Sequence, residues 1–162
     1  MKKYIIMAIV ALTAVLNAHA EAGDISIAPQ ISFATKSSLF GLGAQAQFDI
    51  DDHFRLAPDF FYFVKNKGKT AYSADVNLHY LIPKGAFAFY PIAGVAYYRY
   101  KFEKIDDEGE KYDEKHDRIG GNIGVGAQYE IDEIVQLFAE ERFQLLKDVN
   151  QSVTVLGVRF LF

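Results

Sequence analysis

Hydrophobic and polar residues alternate with a period of two in eight stretches of this chain, the mark of half-buried β-strands. Residues 24–34 set Ile25, Ile27, Pro29, Ile31 and Phe33 against Ser26, Ala28, Gln30 and Ser32. Residues 39–50 set Phe40, Leu42, Ala44, Ala46 and Phe48 against Gly41, Gly43, Gln45, Gln47 and Asp49. Residues 54–64 set Phe54, Leu56, Phe60 and Tyr62 against Arg55, Ala57 and Asp59; residues 70–82 set Tyr72, Ala74, Val76, Leu78 and Tyr80 against Ser73, Asp75, Asn77 and His79. Residues 86–101 are apolar on both faces, and the small Gly94 and Ala96 place Ala93, Val95 and Tyr97 on the outer one. Residues 119–131 set Ile123, Val125, Ala127 and Tyr129 against Gly120, Asn122, Gly124, Gly126, Gln128 and Glu130. Residues 134–146 set Val135, Leu137, Ala139, Phe143 and Leu145 against Gln136, Phe138, Glu140, Arg142 and Gln144. Residues 151–162 send Leu156, Val158, Phe160 and Phe162 to one side, and Gly157 and Arg159 to the other.

The connections decide what kind of sheet this is. Residues 51–53, 83–85 and 132–133 are tight turns; between them lie the generally longer connections 35–38, 65–69, 102–118 and 147–150. Short turns on one rim and longer loops on the other are the arrangement of an up-and-down transmembrane barrel. The outward aromatics agree. Phe48, Phe54, Tyr80, Tyr129, Phe160 and Phe162 lie by the turns and the C-terminus, and Phe33, Phe40, Tyr62, Tyr72 and Phe143 by the loops. Ile, Leu, Val and Ala fill the band between, as two membrane interfaces around a hydrocarbon core require. A soluble lipocalin-like barrel would carry its apolar face inside, the reverse of this pattern. The expected fold is therefore all-β: an eight-stranded antiparallel up-and-down transmembrane β-barrel. Pro29, Pro58 and Pro91 fall within strands, where a missing donor suggests bulges. Glu141 falls on the lipid side and is expected near an interface.

Both termini add to the picture. Lys2 and Lys3, the apolar run from Tyr4 to Leu16 and Asn17-Ala18-His19-Ala20 read as a secretory signal cleaved after Ala20. Residues 1–20 are thus expected to be a signal peptide and 21–162 the barrel domain. The apolar run is shorter than the roughly 20 residues of a spanning helix. The chain has 17 basic and 21 acidic residues; without Lys2 and Lys3 the balance is 15 against 21, or −6, which disfavours nucleic-acid binding. With no cysteine, neither a disulfide framework nor a lipoprotein anchor is available. The chain ends Gly157-Val158-Arg159-Phe160-Leu161-Phe162, which resembles the C-terminal signal strand of bacterial outer-membrane barrels at Gly157, Phe160 and Phe162.

Together with Gly120-Gly121-Asn122-Ile123-Gly124-Val125-Gly126 and Phe138-Ala139-Glu140-Glu141-Arg142, this ending makes the chain resemble the outer membrane protein β-barrel domain family. That family includes the small eight-stranded, porin-like barrels of the OmpA and OmpX type in Gram-negative bacteria. The resemblance implies an integral outer-membrane location, contact with outer-membrane lipids including lipopolysaccharide, and handling by the outer-membrane insertion machinery. It implies no single activity, because the family is defined by its architecture.

An eight-stranded barrel is just wide enough to be filled by side chains. Asp49, Arg55, His79, Glu130 and Arg159 are expected to form an interior polar network in the periplasmic half, with Asp59, Asp75, Glu140 and Arg142 nearer the middle. Buried charges must be paired, so the interior reads as a polar plug, with a narrow porin-like channel as the alternative. A lipid A-modifying enzyme is the other alternative: His79 shares a face with Ser73 and Asp75. Ser73 lies six residues away on the same strand, however, roughly 20 Å at 3.3 Å per residue. No enzyme, cofactor or metal site is expected, and the acidic run from Asp106 to Glu110 lacks EF-hand spacing. The loop from Phe102 to Arg118 is the best candidate for an extracellular protein partner, because its alternation suggests a hairpin with an exposed edge. Arg99 at that rim suits a lipopolysaccharide phosphate. The expected role is structural or interactional: loop display, envelope integrity or adhesion.

Overall fold

In the computed structural model, the described residues are 25–66, 69–105, 111–147 and 150–162. The proposed signal peptide and the loop tip at 106–110 lie outside them. The strands are β1 (Ile25–Ala34), β2 (Leu39–Asp49), β3 (Phe54–Asn66), β4 (Lys69–Tyr80), β5 (Ile82–Lys84), β6 (Phe87–Ile105), β7 (Lys111–Glu130), β8 (Val135–Leu146) and β9 (Gln151–Leu161). Each pairs antiparallel with its neighbours; β1 with β9 and β4 with β6 complete the ring. β4 and β5 are one stave interrupted at Leu81, so the chain is a closed eight-stranded antiparallel barrel.

The three strand prolines do not cause bulges. Pro29 pairs with Ala44, Pro58 with Val76 and Pro91 with Val125. On the opposite side of each, the ladder skips two positions and resumes in the same register: β1–β9 runs from Ile27↔Phe160 to Gln30↔Gly157, and β2–β3 from Gln45↔Asp59 to Phe48↔Leu56. The third gap, facing Tyr90 and Pro91, is what divides β4 from β5. A missing N–H thus costs one local opening, while the register, which fixes every side chain's facing, is kept. The single register shift recorded among the described strands lies between Phe63 and Asn66.

Two connections differ from expectation. Pro83 belongs to β5, and the turn is formed by Gly85 and Ala86, with Gly85 at φ 65° as a two-residue hairpin favours. Beyond the loop rim, β6 and β7 keep pairing from Tyr98↔Arg118 to Ile105↔Lys111, so most of the expected loop is a strand hairpin. The other tight turns share one device. Asp51 accepts the N–H groups of His53 and Phe54, both at 2.7 Å, and Asp132 those of Ile134 (2.9 Å) and Val135 (3.0 Å). These bonds hold the Asp51 carboxyl below the usual carboxylate range.

The faces are inverted relative to a soluble domain. Ile27, Leu42, Val76, Val95, Ile123 and Leu156 are exposed, while Arg55, Arg142 and Arg159 are buried. Phe54 and Tyr80 meet edge to face at 5.2 Å, and Phe87 and Tyr129 lie at 4.7 Å by the turn rim. Tyr62 and Tyr72 lie at 5.4 Å by the loop rim. Phe48 departs from its girdle: it is 8% exposed, paired with Ile25 and Leu56. The facing of the fifth stave is as read from its small residues, with Ala93 and Val95 exposed and Ala96 buried.

Inside, aromatic rings lie over glycines. A Cβ on Gly43 would collide with Phe61, on Gly126 with Tyr90, on Gly157 with Phe138, and on Gly41 it would stand 3.0 Å from Phe63. A lumen this narrow holds a ring only where the wall opposite has no side chain. In detergent gels the unboiled protein is expected to migrate apart from the boiled protein; identical mobility would argue against closure. Gly126→Val is expected to lower unfolding free energy in urea by roughly 1–3 kcal/mol, with much of the loss recovered in the Gly126→Val, Tyr90→Ala double variant.

Candidate functional site: the barrel interior and the loop rim

The interior is layered along the barrel axis. Nearest the turn rim, Arg55 Nε donates to Asp49 at 2.5 Å and Arg55 Nη1 to Gln128 at 2.7 Å. Arg159 donates to the other Asp49 oxygen at 2.5 Å, to Ser26 at 2.6 Å and to Gln136 at 3.1 Å. Two guanidinium groups therefore share one carboxylate.

The next layer has the opposite imbalance. Arg142 donates to Asp59 at 2.5 Å and to Glu140 through both Nε (2.8 Å) and Nη2, and lies 3.8 Å from Asp75. Neutral donors share the load. Gln45 and Asn77 reach Asp59 at 3.3 and 3.2 Å, Ser73 and Gln144 reach Asp75 at 2.6 and 3.1 Å, and the Tyr90 hydroxyl reaches Glu140 at 3.0 Å. His79 stands between the two layers, stacked on Tyr90 at 4.7 Å and 3.9 Å from Glu140. Both of its ring nitrogens lack a hydrogen-bond partner.

Of the residues singled out in sequence, Asp49, Arg55, Asp59, Asp75, His79, Glu140, Arg142 and Arg159 come together in this way. Glu130 does not; it is exposed at the end of β7, paired in the ladder with Gln136. Gly157 lies under the Phe138 ring, and Phe160 and Phe162 are exposed. The alternation places Ser73 and His79 on the inner face, but Ser73 bonds Asp75 and not His79. Among the described residues no group of three or more His, Asp or Glu is placed to hold a metal ion.

A third layer, apolar, closes over the charges towards the loop rim. It contains Leu39, Phe61, Phe63, Tyr98, Leu146 and Val153, with Phe63 and Tyr98 edge to face at 5.8 Å. Sequence analysis placed no large residue here, although extending the alternation from Asp59 puts Phe61 and Phe63 inside, and extending it from Ala96 puts Tyr98 inside. At the rim Arg99 grips Asp117 with two bonds, at 2.5 and 2.9 Å, on the outer face. These bonds hold the Asp117 carboxyl below the usual range, and the guanidinium fork expected to face a phosphate is engaged with it. Glu141, on the lipid side, is satisfied by hydroxyls of β9: Thr154 at 2.6 Å, and Ser152.

A closed eight-stranded barrel with an apolar outer face, a charged and aromatic interior and girdled rims has the fold of the small outer-membrane β-barrels. It is similar to the N-terminal β-barrel domain of Pseudomonas aeruginosa OprF, at 19% sequence identity and a TM-score of 0.66, over 88% of this chain and 100% of that one. It is also similar to Neisserial surface protein A (20% identity, TM-score 0.58, 85% and 94% covered). A third likeness is to Ail, the attachment invasion locus protein of Yersinia pestis (16% identity, TM-score 0.58, 85% and 96% covered). No family model and no curated protein matches the sequence.

Replacing Arg142 by Leu strands Asp59, Asp75 and Glu140 in the interior. The unfolding free energy in urea is expected to fall by about 3–5 kcal/mol. Arg99→Gln, which breaks a solvent-exposed pair, is expected to leave the unfolding midpoint unchanged.

Proposed function

We propose that the protein is an outer-membrane resident that is closed to ions and whose loop rim is its working surface. The carrying observation is the stacking of an aromatic layer on two ion-paired charge layers inside a lumen of eight strands. An ion crossing this interior would have to displace paired guanidinium groups and then pass Phe61, Phe63 and Tyr98. That favours a plug over a channel. In this reading residues 1–20 direct export, Gly157, Phe160 and Phe162 present the C-terminal strand to the insertion machinery, and the loop rim faces outward among lipopolysaccharide molecules.

The hairpin supports a role in interaction. β8 pairs with β7 no further than Gly120↔Leu146, while β6 accompanies β7 as far as Lys111. Among the described residues, one edge of β7 from Lys111 to Ile119 has no strand beside it and suits strand addition by an extended segment of an extracellular protein. The proteins of similar fold include one called an attachment invasion locus protein and one called a surface protein, and one Ail structure holds a heparin analogue. Envelope integrity is a second structural role for the same scaffold. A lipid A-modifying enzyme finds no bond between Ser73 and His79 to work with: Ser73 donates to Asp75, and the His79 ring nitrogens have no hydrogen-bond partner.

Planar bilayers containing the protein are expected to show no conductance steps, and regular steps would overturn the closed interior. Replacing residues 103–113 with Asn-Gly is expected to keep heat-modifiable mobility while abolishing adherence of expressing bacteria to cultured cells. Adherence that survives this replacement would remove the tip of the hairpin, including the β7 edge at Lys111–Asp113, from the reading.

A further inference from the structure

Glu141 stands on the lipid face of β8, where a carboxyl group is costly unless it lies near an interface. It lies inside the apolar band instead, as the seventh of the twelve residues of β8. Along the outward positions it is one step below Phe143 of the loop-rim girdle. It is two steps above Leu137, the ladder partner of the girdle residue Tyr129. Hydrocarbon offers a carboxyl group neither a cation nor a hydrogen-bond donor.

The neighbouring outward residues meet only part of that need. Thr154, opposite Glu141 in the ladder, donates to one carboxyl oxygen at 2.6 Å, and Ser152 donates to the other. Among the described residues these two hydroxyls are the partners of Glu141, and neither is a cation. A carboxyl group has more acceptor sites than two hydroxyls fill. Its oxygens are also within reach from outside. A hollow of about 470 Å³ on the outer face extends to Glu141 and Thr154 from the paired alanines Ala127 and Ala139.

The polar groups continue to the rim. The Thr35 hydroxyl donates to the Ser152 carbonyl and accepts the Ser152 N–H, both at 3.1 Å. Glu141, Thr154, Ser152 and Thr35 thus form a bonded polar track from mid-strand to the loop rim, across β8, β9 and the end of β1. The opposite wall is aliphatic or aromatic over the same height, with Phe60 and Tyr62 on β3 and Val76, Ala74 and Tyr72 on β4.

We propose that water follows this track into the bilayer and draws lipid headgroups down after it, so that the leaflet on the loop side is indented along β8, β9 and β1. Local thinning and water entry are how a bilayer accommodates an ionisable group held at depth. The track gives the indentation a fixed place. Water at Glu141 fills its remaining acceptor sites, and Thr154, Ser152 and Thr35 supply partners on the way up. The side on which the first and last strands meet therefore presents a wetted, hydrogen-bonding surface to the membrane. The inference requires the apolar face to lie in lipid, whichever way the loop rim points.

The chain has neither cysteine nor tryptophan, so single probes report without background. The full mature chain is folded into dioleoylphosphatidylcholine vesicles, and heat-modifiable mobility shows that each variant is intact. A charged, impermeant maleimide on both sides of the bilayer is offered to Thr154→Cys and, as reference, to Ala74→Cys. Each position lies one outward step below the loop-rim girdle: Thr154 below Ser152, the partner of Phe143, and Ala74 below Tyr72. A thiol in hydrocarbon stays protonated and inert, whereas one in water reacts. Thr154→Cys is expected to label about tenfold or more faster than Ala74→Cys, and adding Glu141→Leu to remove most of the difference. Equal rates at the two sites, no labelling of Thr154→Cys, or a rate that Glu141→Leu leaves unchanged overturns the proposal. Phe143→Trp leaves the track whole and gives a second reading. Its emission is expected at longer wavelength than that of Tyr72→Trp, moving to shorter wavelength when Glu141→Leu is added. Coincident emission of the two, or emission of Phe143→Trp that Glu141→Leu does not move, also overturns it.

Discussion

In hydrocarbon a backbone N–H or C=O without a partner costs several kcal/mol, so a sheet can cross a bilayer only if it has no edge there. Here the ring is completed by β1 with β9 and β4 with β6, and most other features follow from that closure. Eight staves fix a narrow lumen, which must be filled by side chains without clashes or unpaired charges. The outer face must be apolar because lipid covers it. Past Gly120↔Leu146, the last pair of β7 with β8 among the described residues, β6 and β7 run on as a hairpin.

The filling is economical in its geometry. Rings and glycines face each other across neighbouring staves, so that a Phe or Tyr occupies volume the opposite residue does not use. The charged layers are unbalanced in opposite senses: two arginines to one aspartate near the turn rim, and one arginine to three carboxylates above. Attraction between the layers therefore adds to the pairing within each. His79 and Tyr90 lie where they feel both, close to Glu140 and within the field of Arg55.

Alternation made the staves and their facing legible in sequence, since a period of two assigns every residue to a side. The aromatic girdles were legible for the same reason, apart from Phe48, whose cover by its neighbours is not a property of its own position. The identities of the interior charges were legible but their partners were not: Arg142 and Asp59 lie on staves distant in sequence, and only the closed register brings them together. Glu130 keeps the inward phase yet is exposed at the last position of its strand, because phase gives the side and not the burial. The prolines misled for a related reason. A missing donor looks like a reason to shift register, but a shift would turn the following residues inside out, and a local gap costs far less.

One of those gaps lies in the seam between the first and last strands. Seven positions pair there, interrupted at Ala28 and Pro29, as many as between β2 and β3, whereas β6 and β7 pair at nineteen. Side chains clip the seam on both sides of the gap: Arg159 to Ser26 at 2.6 Å below it, and the Thr35 hydroxyl to the Ser152 carbonyl at 3.1 Å above. Hairpins join residues close along the chain, but this junction joins its two ends and carries the largest loop-closure entropy. The cylinder is therefore latched rather than zipped at its final joint. A growing barrel held half-open would keep both latch halves apart until the last stave arrives.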